Sequence, residues 1–456
     1  MRSRVGVRRL RPGRRWTAVG WRPRGSRPAA CAGTAPRAPS SASTYRSLLA
    51  IGEFRTLFVN NCVVTMSVAA SGLALGTITY EATRSAVLSG LSMFGGPLVS
   101  LVVSQLLLAS SDRVRPRTAL MGQMSAALVS DTLQLVPGLP WQARFGLLAI
   151  PYAVNAMFSG AKWVIVREIV PDESFILARS AMNLAVGGMQ VVGFGVGGLA
   201  LLWLSPHGLF AVAAVADLMS LVNVRFGLRD RPARADTRDN AGGGDAASDP
   251  GSAGRDGQGG VIRRTMAVNR RLLGSPLTRP LYLALWVPNG LIVGCESLFV
   301  PYAHSGSAAG HGAVAGWLFA AAAAGMMAGD LVVGRFVPAD RRDQIIEPLR
   351  LLLAVPYLFF FLAPPLVAAV PLGFLASAGY AASLPLQDRV IRHTGDDIQG
   401  QVLGLYGNGM MIWQALGAIL AGTAATWLPP AAAMGVMAAA STAITLLLIP
   451  GLRRSA

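Results

Sequence analysis

Long apolar runs separated by short, arginine-bearing connections set the pattern of this chain. A helix that crosses a bilayer needs about 20 mostly apolar residues. Twelve runs meet that need: 56–80, 86–109, 117–137, 145–166, 178–204, 207–227, 280–303, 312–334, 344–363, 366–387, 400–426 and 429–450. Interior Pro and Gly do not disqualify them, because neighbouring membrane helices re-satisfy freed backbone groups. Two longer stretches lack apolar periodicity. Residues 1–44 are rich in Arg, Pro, Gly and Ser, and 229–260 are centred on AGGGDAASDPGSAGRDGQGG. Neither can bury enough apolar surface to fold alone. The predicted organisation is a basic tail (1–44), a six-helix unit (45–228), a linker (229–271), a second six-helix unit (272–450) and a short tail (451–456). Val261 to Gly274, where arginine pairs alternate with apolar residues, is expected to lie along the membrane surface.

The second unit repeats the first. LLAIGEFRTLFV, Leu48 to Val59, returns as LLGSPLTRPLYL, Leu272 to Leu283, at an offset of 224 residues (Arg279 against Arg55). The same offset pairs Asp172-Glu173 with Asp396-Asp397, Gln190 with Gln414, Gly193 with Gly417 and Gly198 with Gly422. Duplicated membrane units are a recurrent organisation of transporters.

Composition agrees with a membrane protein: 53% of residues are hydrophobic and 14% charged, against about 25% charged in soluble chains. The formal net charge of +18 does not imply nucleic-acid binding, because twelve arginines and no acid lie in residues 1–50. The rest borders the spans. Alternate connections carry Arg113, Arg115 and Arg117; Arg167 and Arg179; Arg335, Arg341 and Arg342; Arg389 and Arg392. By the positive-inside rule this places both termini and the central linker in the cytoplasm, in a multi-pass plasma-membrane protein. Residues 1–44 read as a disordered tail, or as sequence upstream of the true start. The alternative is a basic arm on anionic lipid. Cys31, Cys62 and Cys295 form no CxxC, and His207, His304, His311 and His393 are scattered, so no metal or other cofactor is expected. No GxxxxGK[ST] loop and no Ser/His/Asp grouping occurs, which argues against ATP-driven pumping and against an enzyme.

Charges inside the runs are the candidate chemistry. A charged residue at mid-bilayer costs about 2.5–3.5 kcal/mol, so it usually faces an aqueous path or a partner. Asp131 shares a helix face with Gln123, Ala127 and Gln134; Glu296 lies one heptad beyond Asn289; Asp217 sits near the middle of the sixth run. Their repeat positions are uncharged Val355, Gly72 and Ser441, an asymmetry on a symmetric scaffold that favours function. Glu296 ranks first, Asp131 second and Asp217 third as proton-carrying or cation-recognising groups; for Asp217 a structural hydrogen bond is an equal alternative. Lys162 and Arg167 read as interfacial snorkelling residues.

The connection Ser111-Asp112-Arg113-Val114-Arg115-Pro116-Arg117 resembles the tail of the signature loop of the major facilitator superfamily, with Leu108 and Arg115 in place of its glycines. Its second-half counterpart, Gly325 to Arg342, contains Gly329-Asp330 and Gly334-Arg335. The fifth run, Gly187 to Gly198, resembles the glycine element of the proton antiporters, with Phe194 where proline is expected. Residues 45–450 thus resemble this superfamily, particularly its drug- and metabolite-efflux branch, and the Arg-, Ala- and Gly-rich usage suggests an actinobacterial genome. The resemblance implies an all-α membrane fold of twelve helices in two pseudo-symmetric six-helix bundles. It implies a monomer that exports a small amphiphilic molecule against inward-moving protons. It also implies that Asp112, with Arg113 and Arg117, latches the halves, and that Gly193, Gly197 and Gly198 let the fifth helix flex. Expected cavity residues are Gln190, Gln414, Asn289, Asn408, Trp286 and Trp413, with Phe94, Tyr302 and Tyr406. An uptake permease of the same architecture is the alternative, and a non-transporting membrane protein or membrane enzyme a remote one.

Overall fold

A computed structural model of the chain describes residues 45–106, 114–158, 160–171, 174–231, 266–306, 311–394 and 398–455. Twelve helical rods run through the described residues. They are α1 (Gly52–Thr83), α2 (Ala86–Phe94 and Gly96–Leu106), α3 (Pro116–Leu133), α4 (Trp141–Phe158 and Ala161–Ile169), α5 (Phe175–Ala200) and α6 (Pro206–Gly227). The second set is α7 (Thr278–Ser297 and Phe299–Ser305), α8 (His311–Phe336), α9 (Ile346–Leu358 with the turn Phe359–Leu362), α10 (Leu366–Ala378, the turn Gly379–Ala382 and Ser383–Arg392), α11 (Gln399–Ala424) and α12 (Pro430–Arg454). Local chemistry sets several boundaries. Proline opens α3, α6 and α12, where its missing N–H costs nothing. The hydroxyls of Ser85 and Ser205 accept the N–H groups of Leu88 (3.3 Å) and Gly208 (3.2 Å) at the starts of α2 and α6.

Seven helices are by themselves long and apolar enough to cross a membrane, and the bent pair of α2, kinked by 51°, makes an eighth. The other four rods fall short for reasons tied to their roles. Gln123 and Asp131 in α3 and Gln414 in α11 dilute the apolar run where it faces a cavity. α4 is divided at residue 159, and α9 tightens into a 3-10 turn after thirteen residues. The predicted surface segment is helical at 266–274, with Leu272 buried and Arg270 and Arg271 exposed.

The repeat is visible in the packing. Within the first half α1 packs on α5 and α6, α3 on α6, and α2 on α4; within the second, α7 packs on α11 and α12, α9 on α12, and α8 on α10. Close approaches coincide residue by residue. Gly193 lies against Met66 and Gly417 against Gly290; Gly197 lies against Ala70 and Gly294 against Ala421. Each second pair is the first shifted by the sequence offset. These glycines have a packing role, since they allow helix backbones to touch.

The halves meet along two equivalent seams, α5–α8 and α2–α11. An even number of rods places the described ends, Tyr45 and Ser455, on one side, termed the terminal side. The tightest contacts across the seams lie on the opposite, far side: Gly198 on Gly316, Gly312 on Leu201, and Gly422 on Val87. On the terminal side, ion pairs among the described residues stay within a half. Arg231 joins Glu53 (2.7 Å) and Glu168 (2.8 Å) in the first; Arg392 joins Asp343 (2.9 Å) and Arg453 joins Glu347 (2.8 Å) in the second. The molecule is therefore fastened between halves on its far side.

Candidate functional site

Between the halves lies a cavity of about 730 Å³, lined from α1 to α8 and from α10 and α11. Its wall mixes aromatic rings (Phe94, Tyr152, Phe194, Phe210, Phe319, Tyr380, Tyr406), methionines (Met93, Met124, Met326, Met410) and polar groups. Four lining residues are carboxylic acids: Asp131 and Asp217 from the first half, Glu296 and Asp330 from the second. The described lining contains no Lys, Arg or His.

In the first half Asp131 and Asp217 come together. α3 packs along α6, and the two carboxyls hydrogen-bond to each other although they are 86 positions apart in sequence (Asp217 against Asp131). The Ser71 hydroxyl of α1 donates to Asp131 at 2.8 Å, and both acids are buried, at 8% and 1% exposure. A carboxylate only accepts, so a carboxyl–carboxyl hydrogen bond requires a proton on one partner. The pair is built to hold one shared proton.

In the second half Glu296 (7% exposed) stands alone as an acid. The Ser377 hydroxyl donates to it at 3.2 Å, and the Tyr380 and Tyr357 side chains lie close by. Behind this wall Arg350 is fully buried. One of its nitrogens donates to Asn289 Oδ1, while its Nε and Nη2 find no hydrogen-bond partner. Asn289 in turn donates to Ser383 at 3.2 Å, a residue of the cavity wall.

Of the residues expected in the cavity, Gln190, Gln414, Phe94 and Tyr406 line it. Four others do not, for reasons of helix face. Asn408 is exposed: with Tyr406, Met410 and Gln414 turned inward, a residue two positions from Tyr406 lies about 200° away around the helix. Asn289 is buried between Arg350 and Ser383. Trp286 packs on Tyr282 (5.1 Å between ring centroids) and donates to Tyr406 O at 3.1 Å, and Trp413 covers Gly290. Tyr302 packs on Phe360 and donates to Pro364 O. Lys162 is held by Asn61 of α1 at 2.9 Å, so it ties α4 to α1. In the proposed latch loop Asp112 and Arg113 lie outside the described residues; Arg117 donates to Arg225 O at the end of α6, within its own half.

Arg350 escaped the sequence reading, although the signal was present. It is a charge seven residues into a predicted span, the same feature that singled out Asp131. Asp330 was read only as part of a loop.

No family model matches the chain, and no curated protein matches its sequence. Solved structures do match its shape. A POT family transporter in complex with a thioalcohol-conjugated peptide has a TM-score of 0.65 at 12% identity, covering 88% of this chain and 96% of that one. Another, a POT family transporter in complex with 5-aminolevulinic acid, has a TM-score of 0.64 at 11% identity, over 88% and 96% of the two chains. A nucleoside transporter, NupG, has a TM-score of 0.64 at 10% identity, over 88% and 99%. The fold is that of major-facilitator-type transporters. Identity this low carries the fold and leaves the solute open. The chain is thus an all-α, multi-pass membrane protein with the architecture of a secondary transporter.

Proposed function

We propose that this protein is a proton-coupled secondary transporter that exports a small amphiphilic organic cation by alternating access. The observation that carries this reading is the Asp131–Asp217 pair opening on an aromatic, methionine-rich cavity with no basic side chain in its described wall. A cationic group entering the cavity is attracted to the four carboxyls, and aromatic faces add cation–π attraction. At the acid pair the incoming positive charge displaces the shared proton. When the cavity faces the other side, solute departure allows the pair to take a proton up again. One proton then crosses against one solute, and each charge crossing 100 mV contributes about 2.3 kcal/mol. Glu296, enclosed by Ser377 and Tyr380, is the second coupling carboxyl and senses the solute from the opposite wall. Rocking of the halves occurs along the α5–α8 and α2–α11 seams, with Asp112, Arg113 and Arg117 latching the terminal side in the opposite state.

The test is efflux of ethidium from a bacterial host stripped of its own pumps. Expected is protonophore-sensitive efflux in wild type, lost in Asp131→Asn and in Glu296→Gln at unchanged membrane abundance. Efflux that ignores both protonophore and substitutions contradicts the coupling. Faster ethidium entry in cells carrying the protein points instead to an inward permease, which would use the same cavity.

A further inference from the structure

Among the described residues, the salt bridge that joins the two halves is on the far side. His304, in the last turn of α7, places Nε2 3.7 Å from the Glu81 carboxylate near the end of α1. The imidazole also lies on the Tyr80 ring, 5.0 Å between centroids. Its side chain is 6% exposed, whereas that of Glu81 is 52% exposed. The other imidazole nitrogen, Nδ1, is 2.9 Å from Val300 O. A carbonyl oxygen only accepts, so this contact fixes Nδ1 as the protonated nitrogen.

That assignment gives the pair two opposite states. In neutral His304 the unprotonated Nε2 turns its lone pair toward a carboxylate, which repels it. In the imidazolium, Nε2–H faces the same carboxylate and attracts it. Imidazole is the side chain that ordinarily changes charge between about pH 5 and 8. We propose that Glu81 and His304 form a proton-operated latch: a protonated His304 ties α7 to α1 and holds the far side shut, and loss of that proton releases the tie.

The surroundings fit a latch rather than a buried structural pair. The far-side ends of α2 and α12 packed near it bring no ionisable side chain. On the first-half side Glu81 also acts on His207 of α6, whose Nε2 is 3.0 Å from Arg144 Nη2. Arg144 in turn donates to Gln134 Oε1 at 3.0 Å, and Gln134 lines the cavity one helical turn from Asp131. A continuous row of polar groups therefore runs from the central acid pair to the latch. Protonation on the far side and charge in the cavity can influence each other through it. The latch does not depend on which solute is carried or in which direction.

The experiment is a spin-label distance measurement across the far side on the full chain, with Cys31, Cys62 and Cys295 replaced by Ala. Labels go on Trp203→Cys and Trp427→Cys, from opposite halves, whose native side chains are 79% and 80% exposed. Raising the pH through about 5 to 8 should increase the ratio of long to short distances about two- to fivefold, the range for a half-exposed pair. His304→Gln and Glu81→Gln should each abolish that response, and His207→Gln should keep it. A wild-type distribution that ignores pH overturns the latch. So does a response that survives both His304→Gln and Glu81→Gln, or one that disappears only with His207→Gln. Glu81 is half exposed, so Glu81→Gln still decides the matter if His304→Gln fails to fold.

Discussion

The two halves share a repeat, and in their central helices they have spent it differently. In α7, 94% of the most apolar stretch is buried, against 50% in the equivalent α1. The second half wraps its acid, Glu296, in Ser377 and two tyrosines, and sets a fully buried, underpartnered guanidinium, Arg350, behind it. The first half leaves α1 looser and places two acids in mutual contact on the cavity wall. One scaffold thus yields a dense half that fixes charge and a softer half that can exchange a proton. Symmetry supplies the helices, and departures from it supply the chemistry.

The difference in packing can be broken most forcefully at the repeat-related glycines. A methyl group at Gly417 would sit 1.7 Å from Gly290 O, inside any allowed contact, whereas one at Gly193 would sit 2.8 Å from the Ala69 Cβ. Gly417→Ala should abolish recovery of folded protein. Gly193→Ala should cost about 1–3 kcal/mol, as overpacking usually does, and remain purifiable. Equal melting temperatures for the two variants would show that the halves are packed alike.

A smaller effect of opposite sign is expected at Arg350. Replacing a buried charge with an apolar side chain of similar volume is often neutral or stabilising by about 1–4 kcal/mol. Arg350→Met should therefore melt at or above the wild-type temperature while transport is lost. A marked loss of stability would make the guanidinium a structural tie rather than a retained cost.

The smallest effect concerns Asp343, outside the spans between α8 and α9, which accepts hydrogen bonds from Arg389 (3.3 Å) and Arg392 (2.9 Å). Burial works upward on this carboxyl, but the Arg392 hydrogen bond and the charges of both arginines outweigh it and hold it below its ordinary value. A carboxyl depressed on folding contributes stability above its unfolded value, about 3.9, and loses it as pH falls through the folded value. Asp343→Asn should cost about 1 kcal/mol or less at neutral pH, since the pair is partly exposed. The deficit should shrink toward zero as pH falls below about 4, read by thermal unfolding at each pH.

Much of this architecture was legible in the sequence, because period and length alone distinguish spans from connections. The offset that pairs Gly193 with Gly417 also predicted which backbones would touch. Asp131, Asp217 and Glu296 were legible as charges in apolar runs. That Asp131 meets Asp217 was not, since it depends on how α3 packs against α6. Trp286, Trp413, Asn289 and Asn408 were misplaced for a related reason. A helix apolar on every side gives no signal of which face meets a cavity, so a polar or aromatic residue there cannot be assigned a direction. Glu81 and His304 lay at span ends and only their contact across the halves gives them meaning.

The central claim is that the Asp131–Asp217 pair holds a proton which the solute displaces. Infrared difference spectra of the reconstituted protein, recorded before and after ethidium is added, test it directly through the carbonyl band of protonated carboxyl groups. The account predicts that wild type and Glu296→Gln both lose carboxylic-acid intensity on addition, and that Asp131→Asn combined with Asp217→Asn does not. The same loss in the double variant as in wild type would contradict it.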